Sequence, residues 1–423
     1  MRSFWTIVSL AIFGSQSLIS VAQDLDCSGS VTLNGGTIEV ESDSAGDDTE
    51  NLQCAIDAAT SGGYRDILLT SSNYSISSVN GTGFVGDLRG ESKTKTNVSV
   101  KDSSLSCDGQ VGVALEFRNG TASVRSMTLS VDSPCGGGGS ASVIAYYTNP
   151  DRCSSRATFG NVDRVAINGL GTSGLDNVTG GMMKAAPGCT ASNERITGTL
   201  KVNRSEVTAL DFGIITEVAA GGQVDINYNT FDQVGLPLTI IDASQSTTIL
   251  YNTINFNDVA GYPASTGLGT TGVYIANTDA SPNKNGTTLK NNTFIDGGSS
   301  SAGYGILAGQ TGKSVDHKMV VSSNTFEGNN GNSAGAGLAA IDTKDGLVSG
   351  NRFKSSAGSW IDLRSGSSAD GFVGGAVTGW AIVANIFSGS SAAKDIVLGT
   401  GTSGVVVGKS QNLPIVDDQT GNN

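Results

Sequence analysis

Three residues in the middle of the chain have side chains that could carry acid–base chemistry. Lys184 lies in GMMKAA, Glu217 in GIITEVA and Asp242 in LTIIDAS, each within a short apolar run. An amine beside two carboxylates can exchange protons with a bound substrate. The two carboxylates could instead bind Ca²⁺ through their oxygens, or the trio could form a solvated row of salt bridges. We therefore treat Lys184, Glu217 and Asp242 as candidate catalytic residues, and Glu217 and Asp242 as candidate Ca²⁺ ligands.

The substrate that suits these groups is a polysaccharide. In β-elimination, a base removes the proton next to a uronate carboxylate while a cation stabilises the developing charge. Lys184 is the available amine, although an adjacent Glu217 would hold it protonated. In hydrolysis, Glu217 with Asp242 suits the spacing of about 5 Å for retention, and Asp242 with Asp279 suits the wider spacing for inversion. The residues expected to contact the substrate are Arg118, Tyr146, Asp279, Lys344 and Arg364.

A repeated asparagine motif predicts the elements that would bring these residues together. Segments such as VDINYNTF, TLKNNTF and VVSSNTF align on six asparagines, each followed two positions later by a bulky apolar residue: Asn229, Asn252, Asn292, Asn324, Asn351 and Asn385. Repeats of roughly 20–50 residues indicate stacked supersecondary units. Three short apolar runs per repeat, separated by Gly, Ser and Asn turns, predict an all-β, single-stranded right-handed parallel β-helix of about ten or eleven coils. Equivalent residues would then lie about 4.8 Å apart and form one outward track.

Two segments near the N-terminus resemble the pectin-lyase-like superfamily of right-handed parallel β-helices. Residues 46–77, GDDTENLQCAIDAATSGGYRDILLTSSNYSIS, are similar to the amphipathic cap helix and first strand of several branches, and residues 83–96, GFVGDLRGESKTKT, to the strand and turn that follow. The cap helix is expected near residues 47–60, with three apolar residues facing the open end of the β-helix: Leu52, Ile56 and Ala59. The resemblance implies the architecture more sharply than the activity.

The motifs of individual branches are incomplete in this chain. Residues 277–279, NTD, resemble one motif of the polygalacturonase branch, but its Asp-Asp, Gly-His-Gly and Arg-x-Lys companions are absent from the following coils. Residues 360–362, WID, resemble the Trp-Ile-Asp-His signature of one pectate lyase branch, with Leu363 in place of the histidine. The lone histidine, His317, is expected in a solvated turn. No catalytic role is transferred from these motifs.

Composition predicts a secreted protein. Residues 1–22 are predicted to be a signal peptide, which leaves residues 23–423 as one β-helix domain. The even number of cysteines predicts three disulfides, for which about 15 pairings are possible, and we take sequence neighbours as partners: Cys27, Cys54, Cys107, Cys135, Cys153 and Cys189. N-glycosylation sequons occur at Asn73, Asn80, Asn97, Asn119, Asn177, Asn203, Asn285 and Asn291. A net charge of −13 counts against nucleic acid as a partner. With no membrane anchor expected, these features predict an extracellular monomer.

Three functions therefore stay open from the sequence. They are a polysaccharide lyase-like enzyme acting on pectate or another uronate polymer, a glycoside hydrolase of the same fold, and a non-catalytic cell-wall or adhesion solenoid that binds polysaccharide. Ca²⁺ is the one cofactor predicted. An open, concave track around Lys184, Glu217 and Asp242 would favour catalysis, and a flat or covered one would favour a structural role.

Overall fold

The computed structural model describes most of the chain in segments. These are residues 23–25, 27, 30–43, 46–100, 112–131, 141–147, 158–169, 199–217, 223–241, 246–256, 270–276, 286–296, 303–309, 318–328, 336–356, 359–363, 376–391, 396–399, 401–412 and 416–418. The predicted signal peptide, residues 1–22, lies outside them.

The described residues form one α-helix and 37 strands. In the first half these are β1 (Gln23–Asp24), β2 (Val31–Asn34), β3 (Thr37–Val40), α1 (Thr49–Gly62), β4 (Asp66–Leu69), β5 (Asn73–Ile76), β6 (Val79–Thr82), β7 (Val85–Gly90), β8 (Asn97–Val100), β9 (Gly112–Arg118), β10 (Thr121–Arg125), β11 (Thr128–Val131), β12 (Ala141–Tyr147), β13 (Phe159–Asp163), β14 (Ala166–Gly169), β15 (Thr199–Asn203) and β16 (Glu206–Glu217). The second half contains β17 (Gln223–Asn227), β18 (Thr230–Ile241), β19 (Ser246–Leu250), β20 (Thr253–Phe256), β21 (Thr270–Ala276), β22 (Thr287–Lys290), β23 (Thr293–Asp296), β24 (Gly303–Ala308), β25 (Met319–Ser322), β26 (Thr325–Glu327), β27 (Ala336–Ala340), β28 (Gly346–Ser349), β29 (Arg352–Ser356), β30 (Ser359–Leu363), β31 (Val377–Thr378), β32 (Ala381–Val383), β33 (Ile386–Ser391), β34 (Ile396–Leu398), β35 (Thr402–Ser403), β36 (Val406–Val407) and β37 (Val416–Asp418).

The strands stack into three faces, which confirms the predicted right-handed parallel β-helix. Face A runs from β3 through β4, β7, β10, β13, β15, β17, β19, β22, β25, β28 and β32 to β36, all in parallel. Face B runs from β5 through β8, β11, β14, β16, β18, β20, β23, β26 and β29 to β33. Face C contains β6, β9 and β12, then the second halves of β16 and β18, and β21, β24, β27, β30, β34 and β37. The twelve parallel steps along face A give a stack on the order of 58 Å at about 4.8 Å a step, so the N-terminal coils extend it slightly beyond the ten or eleven expected.

The six recurrent asparagines form a continuous ladder at the corner between faces A and B. In the first five, Nδ2 donates to the Oδ1 of the next asparagine at 2.9–3.0 Å and also to a strand carbonyl of the preceding coil. The backbone N–H of each of these five donates to the same Oδ1. In Asn385, Nδ2 donates to the Val348 carbonyl and the backbone N–H donates to Ser410. The ladder positions are at most 2% exposed. The motif is therefore structural, as its spacing predicts.

The bulky residues two positions after each asparagine form the column that fills the core beside the ladder. Phe294, Phe326, Phe353 and Phe387 stack with ring centroids 4.8, 4.8 and 5.2 Å apart, close to the strand spacing. Stacked aromatic rings add about 0.5–1.5 kcal/mol a pair beyond burial. The Asn ladder and this column together fix the register of the C-terminal coils, because a slip of one residue would bring both out of line.

The cap helix closes the N-terminal end of the β-helix, close to its predicted limits. Leu52, Ile56 and Ala59 are each 1% exposed and join the main core, as predicted. Asp48 precedes the helix, and its carboxylate accepts from the backbone N–H groups of Asp43 and Ser75, which ties the cap to the first coil.

A disulfide joins Cys27 to Cys54 and so attaches the N-terminal strands to the cap helix. The other four cysteines lie outside the described residues: Cys107, Cys135, Cys153 and Cys189. Among the sequons, Asn73 and Asn80 are exposed, four are partly exposed (Asn97, Asn119, Asn203 and Asn291), and Asn177 and Asn285 lie outside the described residues. Glycosylation stays a prediction. No helix in the described part of the chain combines the length and the apolar character needed to cross a membrane.

Candidate functional site

The outer side of face C is buried from β18 to β30. The outward row runs in register through Thr239, Tyr274, Leu307, Ala339 and Asp362, which are 6, 5, 0, 4 and 3% exposed. Burial raises the pKa of Tyr274 to about 12. The inward residues of the same strands are also buried in the main core, so face C is covered on both sides. Tyr274, Leu307 and Ala339 of this row belong to a second buried apolar cluster.

The structure describes one residue of the predicted catalytic trio. Glu217 ends β16 and pairs with Ile241 of β18. Its expected stack with Asp242 stays a prediction. Lys184, Asp242, Asp279 and Arg364 lie outside the described residues. Of the described residues, no group of three or more His, Cys, Asp and Glu is placed to hold a metal ion; Ca²⁺ binding stays a prediction.

Tyr146 is the predicted substrate contact that the structure places in the core. It pairs with Phe117 of β9 and is 1% exposed. Its ring stacks on Phe117 at 5.5 Å, and burial raises the pKa of its hydroxyl. A substrate-binding role for Tyr146 is therefore wrong, because its ring is buried in the core, where burial of an aromatic side chain stabilises the fold.

The two predicted cations that are described lie far apart. Arg118, at the end of β9, forms an ion pair with Glu116. Lys344 is exposed and lies beside Thr378. Arg118 precedes β10 and Lys344 precedes β28, seven steps further along face A, or about 34 Å at about 4.8 Å a step. They cannot hold the same sugar residue.

A hollow of about 270 Å³ instead opens on the outer surface of face A, across β10, β13 and β15. We call it the face A hollow. Its lining residues are Thr121, Ala122, Phe159, Gly160, Asn161, Thr199 and Lys201. Phe159 is 40% exposed although it is a large apolar residue, and Lys201 is also exposed. None of the residues that the sequence singled out for chemistry lines it.

Strand alternation places these side chains outward. Val162 and Val202 point into the core, so Phe159 and Asn161 on β13, and Thr199 and Lys201 on β15, face solvent. The registers place Thr121 of β10 beside Phe159 and Asn161 beside Lys201. Aromatic, hydroxyl, amide and ammonium groups are therefore brought together by three consecutive parallel strands.

Tyr146 supports the floor of the hollow from inside. A side chain at Gly160 would bring a Cβ atom within 2.9 Å of the Tyr146 ring, so glycine is what allows the tyrosine to pack beneath β13. The Tyr146 hydroxyl donates to the Asn161 carbonyl at 3.4 Å. The buried tyrosine thus fixes the strand that carries Phe159 and Asn161.

The charges of face A leave Lys201 available for a ligand. Arg89 holds Asp66 through two hydrogen bonds of 2.7 and 2.8 Å, which lowers the pKa of Asp66 and raises that of Arg89. Arg125 similarly pairs with Asp87. Within the described part of the chain, Lys201 takes part in none of the ion pairs. It is therefore the cation of the hollow that a negatively charged ligand would meet.

The described lining has groups that suit a sugar. An aromatic ring packs against the apolar face of a pyranose, while hydroxyl and amide groups bond its hydroxyls. The ammonium of Lys201 suits a carboxylate or sulfate. Among the lining residues that the structure describes, none is an acid, a histidine or a cysteine. The nearest acid by register is Asp225, beside Lys201, whose carboxylate accepts from Thr248 at 2.6 Å and from Gln223 at 3.0 and 3.1 Å.

The fold and this surface define a parallel β-helix with a polar-aromatic hollow on one face. Among solved structures, the chain is similar to the A-module of mannuronan C-5 epimerase AlgE4 from Azotobacter vinelandii, with 16% identity over 88% of this chain and 92% of that one and a TM-score of 0.42. It is also similar to tailspike protein 3 of bacteriophage CBA120 (10% identity, 87% and 57% covered, TM-score 0.42) and to the Dettilon tailspike protein (12% identity, 88% and 68% covered, TM-score 0.38). These likenesses concern the fold alone. No family model matches the chain, and no curated protein does.

Proposed function

We propose that this protein is a secreted, extracellular polysaccharide-binding β-helix that holds an acidic polysaccharide in the face A hollow. The observation that carries the proposal is the juxtaposition of exposed Phe159 with Lys201 across Asn161, Thr121 and Thr199. A chain that carries a carboxylate on its sugar rings would use each of these groups. The excess of acidic residues elsewhere, with a net charge of −13, would repel such a chain from the rest of the surface.

The proposal is tested by titration calorimetry with uronate oligosaccharides and with neutral ones of the same length. Lys201→Ala removes a charge-assisted contact worth about 1.5–3 kcal/mol, so affinity for the uronate should fall at least about tenfold and affinity for the neutral sugar should not change. Phe159→Ala should weaken both. Two variants on face A serve as controls: Lys290→Ala removes an exposed cation, and Val85→Ala removes an apolar side chain that is 44% exposed in the row of Phe159. Uronate binding that survives Lys201→Ala unchanged would refute the proposal.

The sequence also predicts a more specific function, cleavage of the polysaccharide by β-elimination or by hydrolysis. A direct assay tests it. The protein is incubated with pectate, alginate and neutral glycans, with and without Ca²⁺. Ultraviolet absorbance of an unsaturated product indicates elimination, and new reducing ends without absorbance indicate hydrolysis. Lys184→Ala should then abolish the activity and leave the thermal midpoint in place. Binding without either product supports the non-catalytic form of the proposal.

A further inference from the structure

A column of left-handed residues lines the outside of the corner between faces A and B, one position before the Asn ladder. It includes Arg164, Arg204, Tyr228, Tyr251, Asn291 and Gly350, with φ between 51° and 64°. Each N–H donates across the coil boundary, for example from Tyr228 to the carbonyl of Leu250 at 3.0 Å. Because the corner repeats in every coil, its side chains project outward one above another.

Two positions of this column hold exposed tyrosines in spite of the left-handed backbone. Tyr228 and Tyr251 have φ values of 60° and 58°, a conformation that costs a non-glycine residue about 1–2 kcal/mol. They are also 59% and 48% exposed, so they gain little from burial. Gly350 fills the same corner without that cost. Bulky residues held in a costly conformation at the surface point to a functional use.

The tyrosine rings form a single aromatic platform. Their centroids are 4.9 Å apart and the ring planes are parallel. Tyrosine gives a large rigid contact surface with a polar tip, which suits the mixed apolar and hydroxyl surface of a sugar. The pair therefore has the chemistry of a carbohydrate contact.

Two arginines in the preceding coils add positive charge to the platform. Arg164 and Arg204 both contact Asp163, through Nε–Oδ2 at 3.1 Å and Nη2–Oδ1 at 2.6 Å. Asp163 is 7% exposed, whereas the two guanidinium side chains are 56% and 57% exposed. Two cations share one buried carboxylate, which leaves one net positive charge facing solvent beside Tyr228. That charge complements an acidic polysaccharide.

The platform is also continuous with the face A hollow. Lys201 lies beside Asp225 in the next strand, and Tyr228 follows Asp225 by three residues. Three residues along a strand and one strand across correspond to about 11 Å. A bound oligosaccharide of a few residues can span that distance.

We propose that Tyr228 and Tyr251, with Arg164 and Arg204 beside them, form a second subsite for the same acidic polysaccharide, which we call the corner platform. This inference rests on the proposed binding at the face A hollow. The hollow holds one end of a bound segment and the tyrosine rings stack against sugar residues further along it. Affinity therefore depends on chain length.

The test compares short and long uronate oligosaccharides by titration calorimetry, with protein from a host that adds no N-glycans. The double variant Tyr228→Gly/Tyr251→Gly removes the platform and suits the left-handed backbone, so its thermal midpoint should not fall. Its affinity for the long ligand should drop at least about tenfold, and its affinity for the short one should stay unchanged. Tyr228→Phe/Tyr251→Phe keeps the rings and should retain long-chain affinity. Ser323→Gly, elsewhere in the same column, is the control for the backbone change.

The outcomes separate this inference from the proposal on which it rests. Long-chain affinity that is unchanged in the double glycine variant would overturn the corner platform, whatever the hollow does. Short-chain binding that is insensitive to Lys201→Ala, together with a long-chain loss in the glycine variant, would overturn the hollow and support the platform alone.

Discussion

Removal of one ladder asparagine should destabilise the whole coil stack. In Asn324→Ala, the Oδ1 that accepts from both the N–H and the Nδ2 of Asn292 is lost, as is the donor to the Leu289 carbonyl. Asn324 is 1% exposed, so water does not replace these partners at the surface. Two orphaned donors at about 1–3 kcal/mol each give an expected loss of about 2–6 kcal/mol. That is a large share of the free energy of unfolding of a typical domain, which is about 5–15 kcal/mol.

The assay is equilibrium unfolding in urea, combined with hydrogen exchange of the Asn292 amide. Asn73→Ala is the matched control, because Asn73 is exposed and its Nδ2 donates only to Ser72 at 3.1 Å. The control should change stability by less than about 0.5 kcal/mol, in protein made without N-glycans. A similarly small loss for Asn324→Ala, with the Asn292 amide still protected, would show that a water molecule or a shift of the neighbours satisfies the donors. The reasoning from orphaned groups would then fail.

Two further predictions concern a charge and a glycine. The Arg89 guanidinium lowers the pKa of Asp66 below its unfolded value of about 3.9. The stabilisation from this ion pair is therefore present above that pH and is lost as the pH falls through the lower folded pKa. Asp66→Asn should flatten the fall in stability measured by urea unfolding in this acidic range, and an unchanged slope would contradict the assignment. Gly309→Ala should lower the free energy of unfolding by at least about 2 kcal/mol more than Gly36→Ala. Both glycines have positive φ values, of 86° and 93°, but of the two only Gly309 would bring a Cβ into overlap with a backbone atom, the Ile341 carbonyl oxygen. Equal losses in the thermal midpoint would show that backbone strain alone sets the cost.

The regular part of the fold could be predicted because its interactions repeat. The asparagine of one coil contacts the asparagine of the next, as at Asn292 and Asn324, so the same residue type is required at the same position of successive coils. The cap helix was predictable for a different reason, since its apolar positions have helical spacing. Both predictions rely on patterns that are local in sequence.

The register of face C could not be read from the sequence. The strands that contain Glu116 and Tyr146 are apolar on both sides, so the alternation that would show which residues face inward is absent. Tyr146 pairs with the core aromatic residue Phe117, whereas Glu116, one position earlier, pairs with Ala145. In such strands packing decides the register.

The sequence contains weak signals of the candidate site on face A. Strand alternation from the inward Val162 and Gly160 places Asn161 and Phe159 outside, and an exposed phenylalanine is unusual enough to notice. The tyrosines precede ladder asparagines in the two successive YNT motifs at Tyr228 and Tyr251. What the sequence could not show is that β10, β13 and β15 are adjacent, since long insertions separate them along the chain.

The hydrogen bonds between members of the asparagine ladder all point the same way, and this makes each coil a modular part. Every member offers donors towards its C-terminal neighbour and an acceptor towards its N-terminal one, while serines finish the run: Ser205 donates to Asn229, and Asn385 donates to Ser410. A duplicated coil inserted between two existing ones would find matching partners above and below. The protein can therefore lengthen or shorten by whole turns through duplication or deletion in its gene, provided that the two serine ends are kept.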